Sequence, residues 1–409
     1  MKSNEITKCR ICGNRVSDSS INLGELALTG IFVEDGKSVA RESITLVHCS
    51  NNECGLLQLK QVYDLNILYG QNYGYSSSLN SSMVKHLQKR AKNLIERFEI
   101  TSQDLVLDIG SNDATSLQQF PSVDIKIGVD AVGYKFQKKY EEIKAELIVD
   151  FFPSKMLDDL LGTRKVKLIS SYSCFYDLPD PVGFAKSISR HLADDGVWVL
   201  EQSYMPAMLE TLSFDTICHE HIEYYCLKDI DNICKRSGLR LIDVEFNDIN
   251  GGSFVAYVVT ETSKRYASKS VDKVLRAEKE IDWSIKYSEF SKEILETRSN
   301  LRNLLTKLKE QGKTLYGLGA STKGNVLLQY FNIGTELISE IGEVNPEKFG
   351  METPGSGIPI VSEASLLSKR PEYLLVLPWH FREFFLSSQK LKGSKLIFPM
   401  PTIEVIELH

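Results

Sequence analysis

The chain has 409 residues, 42% hydrophobic and 25% charged, with a formal net charge of −6. That length corresponds to about two or three domains of roughly 150 residues, each able to bury its own core. The acidic balance excludes a general nucleic-acid binder, which carries a basic face, and no apolar run approaches the roughly 20 residues of a membrane span. The N-terminal residues lack the apolar stretch of a secretory signal, so we expect a cytoplasmic chain. Its eight cysteines then point to metal ligation, catalysis or core packing rather than to disulfides.

The first 62 residues carry cysteine pairs and short strand-like runs, over 43–49 and 56–59. Cys9 and Cys12 are two residues apart with Arg10 and Ile11 between them, and Cys49 and Cys54 enclose four. Each pair precedes a glycine, Gly13 or Gly55, that lets a knuckle turn back on itself. Four thiolates in two such turns are the ligand set of a closed, structural zinc site. His48 is an alternative ligand, and a redox pair or free thiols are the competing readings. Residues 63–82, rich in Tyr, Ser, Asn and Gly, read as an ordered loop, and a helix is predicted over 83–98.

From residue 105 strands alternate with helices: strands over 105–109, 125–129, 147–149, 166–170 and 197–201, helices over 114–120, 135–145 and 182–192. The alternation implies a parallel, doubly wound sheet. Late strands over 239–245 and 253–259 are joined by the turn Asn250, Gly251, Gly252. Apolar residues at helical spacing (Leu275, Ile281, Ile294, Leu301, Leu305, Leu308) predict a long helix or a helix pair between 271 and 312. A second α/β unit follows, with strands over 314–316, 338–341 and 373–377 and a helix from Thr322. The fold class is therefore α/β: a small zinc-binding domain over 1–62, a Rossmann-like domain over 63–262 and a second Rossmann-like domain over 263–409.

Asp108 ends the first strand of the middle unit, Gly110 turns the chain, and Asp130 ends the next strand about 20 residues on, where a carboxylate takes ribose hydroxyls. Dinucleotide folds use three glycines there because a pyrophosphate is cradled at a helix N-terminus. A single glycine flanked by Asp108 and Asp113 repels a pyrophosphate and suits a cationic sulfonium with its ammonium group. We therefore expect S-adenosylmethionine and a methyltransferase, with cofactor contacts from Asp108, Gly110, Ser111, Asn112, Asp130, Asp150, Phe151 and Ser171. An ordinary turn capped by Ser111 or Asn112 is the competing reading, and Phe151 either stacks on adenine or packs in a core.

The densest run of titratable and aromatic groups spans 214–225 and holds Cys218, His219, Glu220 and His221. Its histidines lack the spacing of a zinc helix. In an extended loop they point the same way, and a histidine is poised for proton abstraction near neutral pH.

These motifs together resemble the sugar C-methyltransferases that act on nucleotide-linked 4-keto-6-deoxyhexoses. The resemblance rests on the Cys9–Gly13 knuckle, Tyr73 and Tyr75 with the serines after them, the Asp108–Asp113 turn and Cys218, His219, Glu220, His221. It continues through Asn250 to Phe254, the run 317–325 with Ser321, Thr322, Lys323 and Asn325, and Pro346 to Phe349, covering nearly the whole chain. It implies a zinc-bearing N-terminal domain, a methyltransferase domain and a C-terminal domain that helps bind the sugar nucleotide. It also implies His221 as general base, Glu220 as its acidic neighbour, His219 beside them, and Tyr73 or Tyr75 lining the methyl-transfer site. Substrate contacts fall to Asn250, Gly251, Ser321, Thr322, Lys323, Asn325, Cys218 and Asp177, with Lys323 expected on the phosphates. The family often has Tyr at the position of Cys218, and His where Phe175, Tyr176 and Asp177 stand here. O- or N-methylation of a sugar nucleotide is the second reading. A binding protein with a degenerate methyltransferase domain and a dehydrogenase using the 317–321 loop are further ones. We expect no nucleic-acid or membrane partner and a monomer or homodimer.

Overall fold

The computed structural model describes residues 4–18, 20–34, 36–69 and 75–409. The middle of the chain builds a seven-stranded sheet from β1 (Leu105–Ile109), β2 (Ile125–Val129), β3 (Glu146–Ile148), β4 (Val166–Tyr172), β5 (Leu192–Ser203), β6 (Leu239–Asn247) and β7 (Ser253–Thr260). Their order across the sheet is β3-β2-β1-β4-β5-β7-β6. β1 to β5 run parallel, and β7 lies antiparallel between β5 and β6. All five residues of β1 are buried, as a central strand covered on both faces requires. The strand order reverses direction between β1 and β4, and that switch point opens a crevice beyond their C-terminal ends.

Two expected helices are altered. Residues 114–120 form only a 3-10 turn at Leu117–Gln119. Gly110, Asn112 and Ala114 take φ of 69°, 47° and 60°, a left-handed conformation that cannot run on into a right-handed helix. The expected helix over 135–145 divides into a 3-10 turn, Gly133–Phe136, and a short helix, Gln137–Glu142. The linking region is a helix pair, Lys269–Lys279 and Trp283–Glu310, the longer burying Tyr287, Phe290, Ile294, Leu301, Leu305 and Leu308.

The C-terminal sheet has six strands, in the order Ile360–Ser362, Ile341–Glu343, Leu315–Leu318, Tyr373–Val376, Lys395–Phe398, Glu404–Glu407, the last antiparallel. The first and the last two were not read from the sequence, and the strand expected over 338–341 begins at Ile341. Elements of three or four residues are too short to show a period.

The three parts interlock. Glu223–Tyr224, from the histidine-bearing run, is a strand of the N-terminal sheet beside Leu57–Leu59, and Val33–Glu34 pairs with Met351–Glu352. One apolar core runs from Ile44 and Leu46 through Phe214 and Ile217 to Val326 and Leu327. Each such side chain contributes about 1.5–3 kcal/mol on burial, so the 214–225 run is gripped from both sides. Among the described residues no helix is long and apolar enough to cross a membrane.

Candidate active site

The sulfurs of Cys9, Cys12, Cys49 and Cys54 all lie within 4.8 Å of one another. Cys9 and Cys54 are 3.7 Å apart at Sγ, Cys12 and Cys49 3.3 Å. Tetrahedral zinc–thiolate bonds place sulfurs about 3.8 Å apart, so the donor set fits that metal. His48 is not among the clustered donors: its Nδ1 lies 2.7 Å from Ser20 Oγ and its ring faces Tyr287. Arg10, between two of the ligands, donates to the Leu59 carbonyl (2.7 Å) and brings Nε to 3.8 Å from the buried Glu223 carboxylate. The knuckle is thereby tied to the run that carries His221.

At the switch point the two strand-end carboxylates are sunk into the protein. Asp108 is 2% exposed, takes a 2.6 Å hydrogen bond from Ser170, and burial pushes its pKa up to about 7. Asp130 accepts the backbone N–H of Asn112 and of Val132, each at 2.8 Å. Gly110 lies directly against Cys174 (a Cβ there would fall 2.7 Å from Cys174 Cβ), so the crevice floor admits no side chain.

The rest of the turn is occupied with holding a flap. Asn112 donates to the Tyr75 carbonyl (3.1 Å) and accepts the Ser77 N–H (3.0 Å). Asp113 accepts from Ser76, the Ser78 N–H and Lys139, and these bonds hold its carboxyl below the usual carboxylate range against its burial. Asp113 therefore presents no free charge to a cofactor, contrary to the sequence expectation; the uncompensated acids are Asp108 and Asp130. Tyr75 is 47% exposed above this turn, and Tyr73 lies outside the described residues. Ser111 Oγ is 2.8 Å from the Tyr140 hydroxyl. Asp150 caps its own turn through Phe151 N–H and Ser154, and Phe151 meets Tyr69 edge-on. Ser171 is fully buried and accepts the Trp198 indole N–H (2.9 Å), while Ser170 and Ser116 are the serines that hydrogen-bond Asp108.

The two histidines do not point the same way, because bends at 218–220 break the extended alternation. His219 is fully buried against Tyr63, with Nε2 3.5 Å from the Glu42 carbonyl. His221 turns inward: Nδ1 is 2.8 Å from the Thr216 carbonyl, and its ring sits 4.5 Å from Tyr176, edge to face. A carbonyl only accepts, so Nδ1 carries the proton and Nε2 the free lone pair. Burial, with the Lys323 charge second, pushes the His221 pKa down to about 4. Glu220 is not its partner. It leaves the ring and takes the Thr29 hydroxyl (3.4 Å), its oxygen lying where a Cβ on Gly30 would go. Asp177, beside it, is buried with Oδ1 unpartnered among the described residues, and burial and the nearby acids push it well up. Cys218 is fully buried next to Glu220.

The C-terminal part closes this site from the other side. Lys323 donates to the Asn250 carbonyl (3.1 Å), and Asn250 Nδ2 is 3.4 Å from Ser173, at the end of β4. Gly251 takes φ 91° against Ser213 and Trp379. Ser321 caps the helix Thr322–Tyr330 through the Gly324 N–H, and Thr322 approaches Gly30. Asn325 is fully buried and donates to the Thr29 carbonyl (2.7 Å), while its Oδ1 has no partner among the described residues. Sequence reasoning missed Thr216, Asp215 and Trp379. Trp379 donates to Asp215 (2.9 Å) across 164 positions, a pairing without local signal.

Three protein-family models match consecutive stretches: a zinc binding domain over 9–69, a methyltransferase domain over 83–244 and a C-methyltransferase C-terminal domain over 248–401. The C-methyltransferase NovU of Streptomyces niveus is 29% identical over 416 residues, covering 98% of this chain and 97% of that one. This protein is an S-adenosylmethionine-dependent methyltransferase, with its zinc binding, methyltransferase and C-methyltransferase C-terminal stretches in that order. Among solved structures, the complex of the Haloferax volcanii Trm112 methyltransferase activator with a methyltransferase gives 15% identity over 44% of this chain and 94% of that one, TM-score 0.36. An S-adenosylmethionine-dependent methyltransferase from Clostridium acetobutylicum gives 12% over 45% and 92%, TM-score 0.35. The zinc binding domain match and the clustered cysteines give the methyltransferase a four-cysteine site for zinc.

Proposed function

We propose that the methyltransferase C-methylates a nucleotide-linked keto-deoxysugar at the carbon beside its ketone, C3 next to a C4 carbonyl. The observation that carries this reading is the fixed tautomer of His221, whose Nδ1–H is held by the Thr216 carbonyl at 2.8 Å. A carbon nucleophile has to be made by removing a C–H proton, and an imidazole nitrogen kept neutral and bare at pH 7 is placed for that. The C-methyltransferase C-terminal domain match and the full-length likeness to NovU support carbon as the acceptor.

S-adenosylmethionine, when bound, supplies the electrophilic methyl group. Asp108, Gly110, Asn112 and Asp130 at the switch point would hold it, two acids facing its positive charge. Tyr75 and the segment clamped by Asn112 and Asp113 would cover it and exclude water. Asn250, Gly251, Ser321 and Thr322 would hold the sugar nucleotide, with Glu220 and Asp177 at the far wall.

The test is His221→Asn, assayed with a nucleotide-linked 4-keto-6-deoxyhexose and labelled S-adenosylmethionine. Both ligands should still bind, while turnover falls by about 10²–10⁴, and NMR of the wild-type product should find the methyl on C3. A methyl on oxygen or nitrogen, or near-normal turnover of His221→Asn, overturns the reading.

A further inference from the structure

The ketone's α-proton is far less acidic than an imidazolium, and His221 is a weakened base. Such a base moves that proton only if the charge arriving on the carbonyl oxygen is met by a prepared donor. The side chain disposed to do so is Lys323. It is the second residue of the helix Thr322–Tyr330, on the C-terminal side of the site. Its ammonium is fixed 3.1 Å from the Asn250 carbonyl, and Asn250 in turn touches the end of β4 through Ser173.

The helix of Lys323 packs on the turn Phe214–Thr216, which carries both Asp215 and the carbonyl that orients His221. Asp215 is 1% exposed; Trp379 satisfies one oxygen at 2.9 Å, and the other has no hydrogen-bond partner among the described residues. The charged and titratable groups around Lys323 are Asp215, Cys218 and His221 from the 214–225 run and His380 beside Trp379. Asp215 first, and Cys218 after it, oppose the desolvation that lowers the Lys323 pKa. A phosphate contact gains nothing from a position beside the base and depresses that base. A cation that meets an oxyanion formed at the same step has to stand there.

We propose that Lys323 is a catalytic residue: its ammonium, held by the Asn250 carbonyl and balanced by Asp215, binds the C4 carbonyl oxygen and stabilises the enolate formed when His221 deprotonates C3. This rests on the C-methylation reading above. The C3–H bond breaks, its proton goes to His221 Nε2, and its electron pair forms the C3–C4 π bond. The carbonyl π pair moves onto oxygen, whose new negative charge faces Lys323, and Lys323 keeps its proton throughout.

The test is exchange of the C3 proton with D₂O, followed by NMR, using the full chain, a nucleotide-linked 4-keto-6-deoxyhexose and S-adenosylhomocysteine. Wild type should exchange. Lys323→Gln should bind S-adenosylhomocysteine as wild type does, yet slow exchange and turnover by about 10²–10³, with the sugar-nucleotide KM moving less than about threefold. The acid limb of its pH profile should also move to higher pH, since His221 no longer faces a cation. Lys323→Met, unbranched and uncharged, decides the matter in the same assays if Lys323→Gln does not fold. A normal exchange rate with KM raised about tenfold or more overturns the proposal and identifies a phosphate contact. No exchange in wild type overturns the C-methylation reading and this proposal with it.

Discussion

Gly110→Ala is the substitution whose cost the structure sets most directly. Gly110 follows β1 with φ 69°, and a Cβ there would sit 2.7 Å from Cys174 Cβ and 2.8 Å from its Sγ. Cys174 has little room to give, because its thiol donates to the Ile109 carbonyl at 3.1 Å on the same turn. An L residue in the left-handed region costs about 1–2 kcal/mol, and forcing atoms into a packed site about 1–3 kcal/mol more, so the total is about 2–5 kcal/mol. Gly312→Ala separates the two contributions: it has φ 73° with nothing within 4 Å of a Cβ, so it bears the backbone cost alone. Relief at Gly110 requires the turn to move, and the turn carries the Asn112 N–H that Asp130 accepts. Denaturation midpoints should therefore fall more for Gly110→Ala than for Gly312→Ala. Calorimetric titration should show S-adenosylhomocysteine binding weakened at least about tenfold, or 1.4 kcal/mol, for Gly110→Ala only. Equal destabilisation of the two variants with unchanged affinity would refute the reasoning.

Metal analysis of the purified methyltransferase should find about one zinc per chain, and Cys12→Ser should lose it together with thermal stability; retention of full zinc by Cys12→Ser would move the site elsewhere. Asp130→Ala should weaken S-adenosylmethionine by about tenfold to a hundredfold through loss of charge-assisted bonds, while sugar-nucleotide affinity, measured separately, changes little. His219 is fully buried and neutral with its pKa pushed down to about 4 by burial, so an unfolded chain binds a proton there that the folded one does not between pH 6.5 and 4. Stability is therefore lost as pH falls through that window. His219→Gln should flatten the loss by about 1.4 kcal/mol per pH unit, as read from urea denaturation at several pH values; an unaltered slope would show that His219 is protonated in the folded chain.

Much of the fold was legible because its signals are local. The run of residues 105–109 is apolar enough for a strand covered on both faces, and Asp108, Gly110 and Asp130 occur at the strand ends where a doubly wound sheet gathers its ligands. The helix pair after residue 269 shows its apolar spacing directly, and the four cysteines announce a tetrahedral donor set by number and adjacency. The helix expected over 114–120 failed because backbone sign, not side-chain pattern, rules that turn: Asn112 and Ala114 are left-handed, a property no periodicity records.

The sequence by itself therefore determined the composition of the site and the chemistry available to it: thiolates for zinc, acids for a cation, a histidine for a proton. Only the tertiary structure decided which groups meet. His221 faces Thr216 and Tyr176 while His219, two residues away, faces Tyr63, and Glu220 joins Asn325 at Thr29 instead of serving the base. The Lys323 charge acts on the base from a helix about a hundred residues further along the chain. The physical reason is that these pairings are fixed by three apolar surfaces burying one another around the 214–225 run, and burial acts on area wherever in the chain it originates.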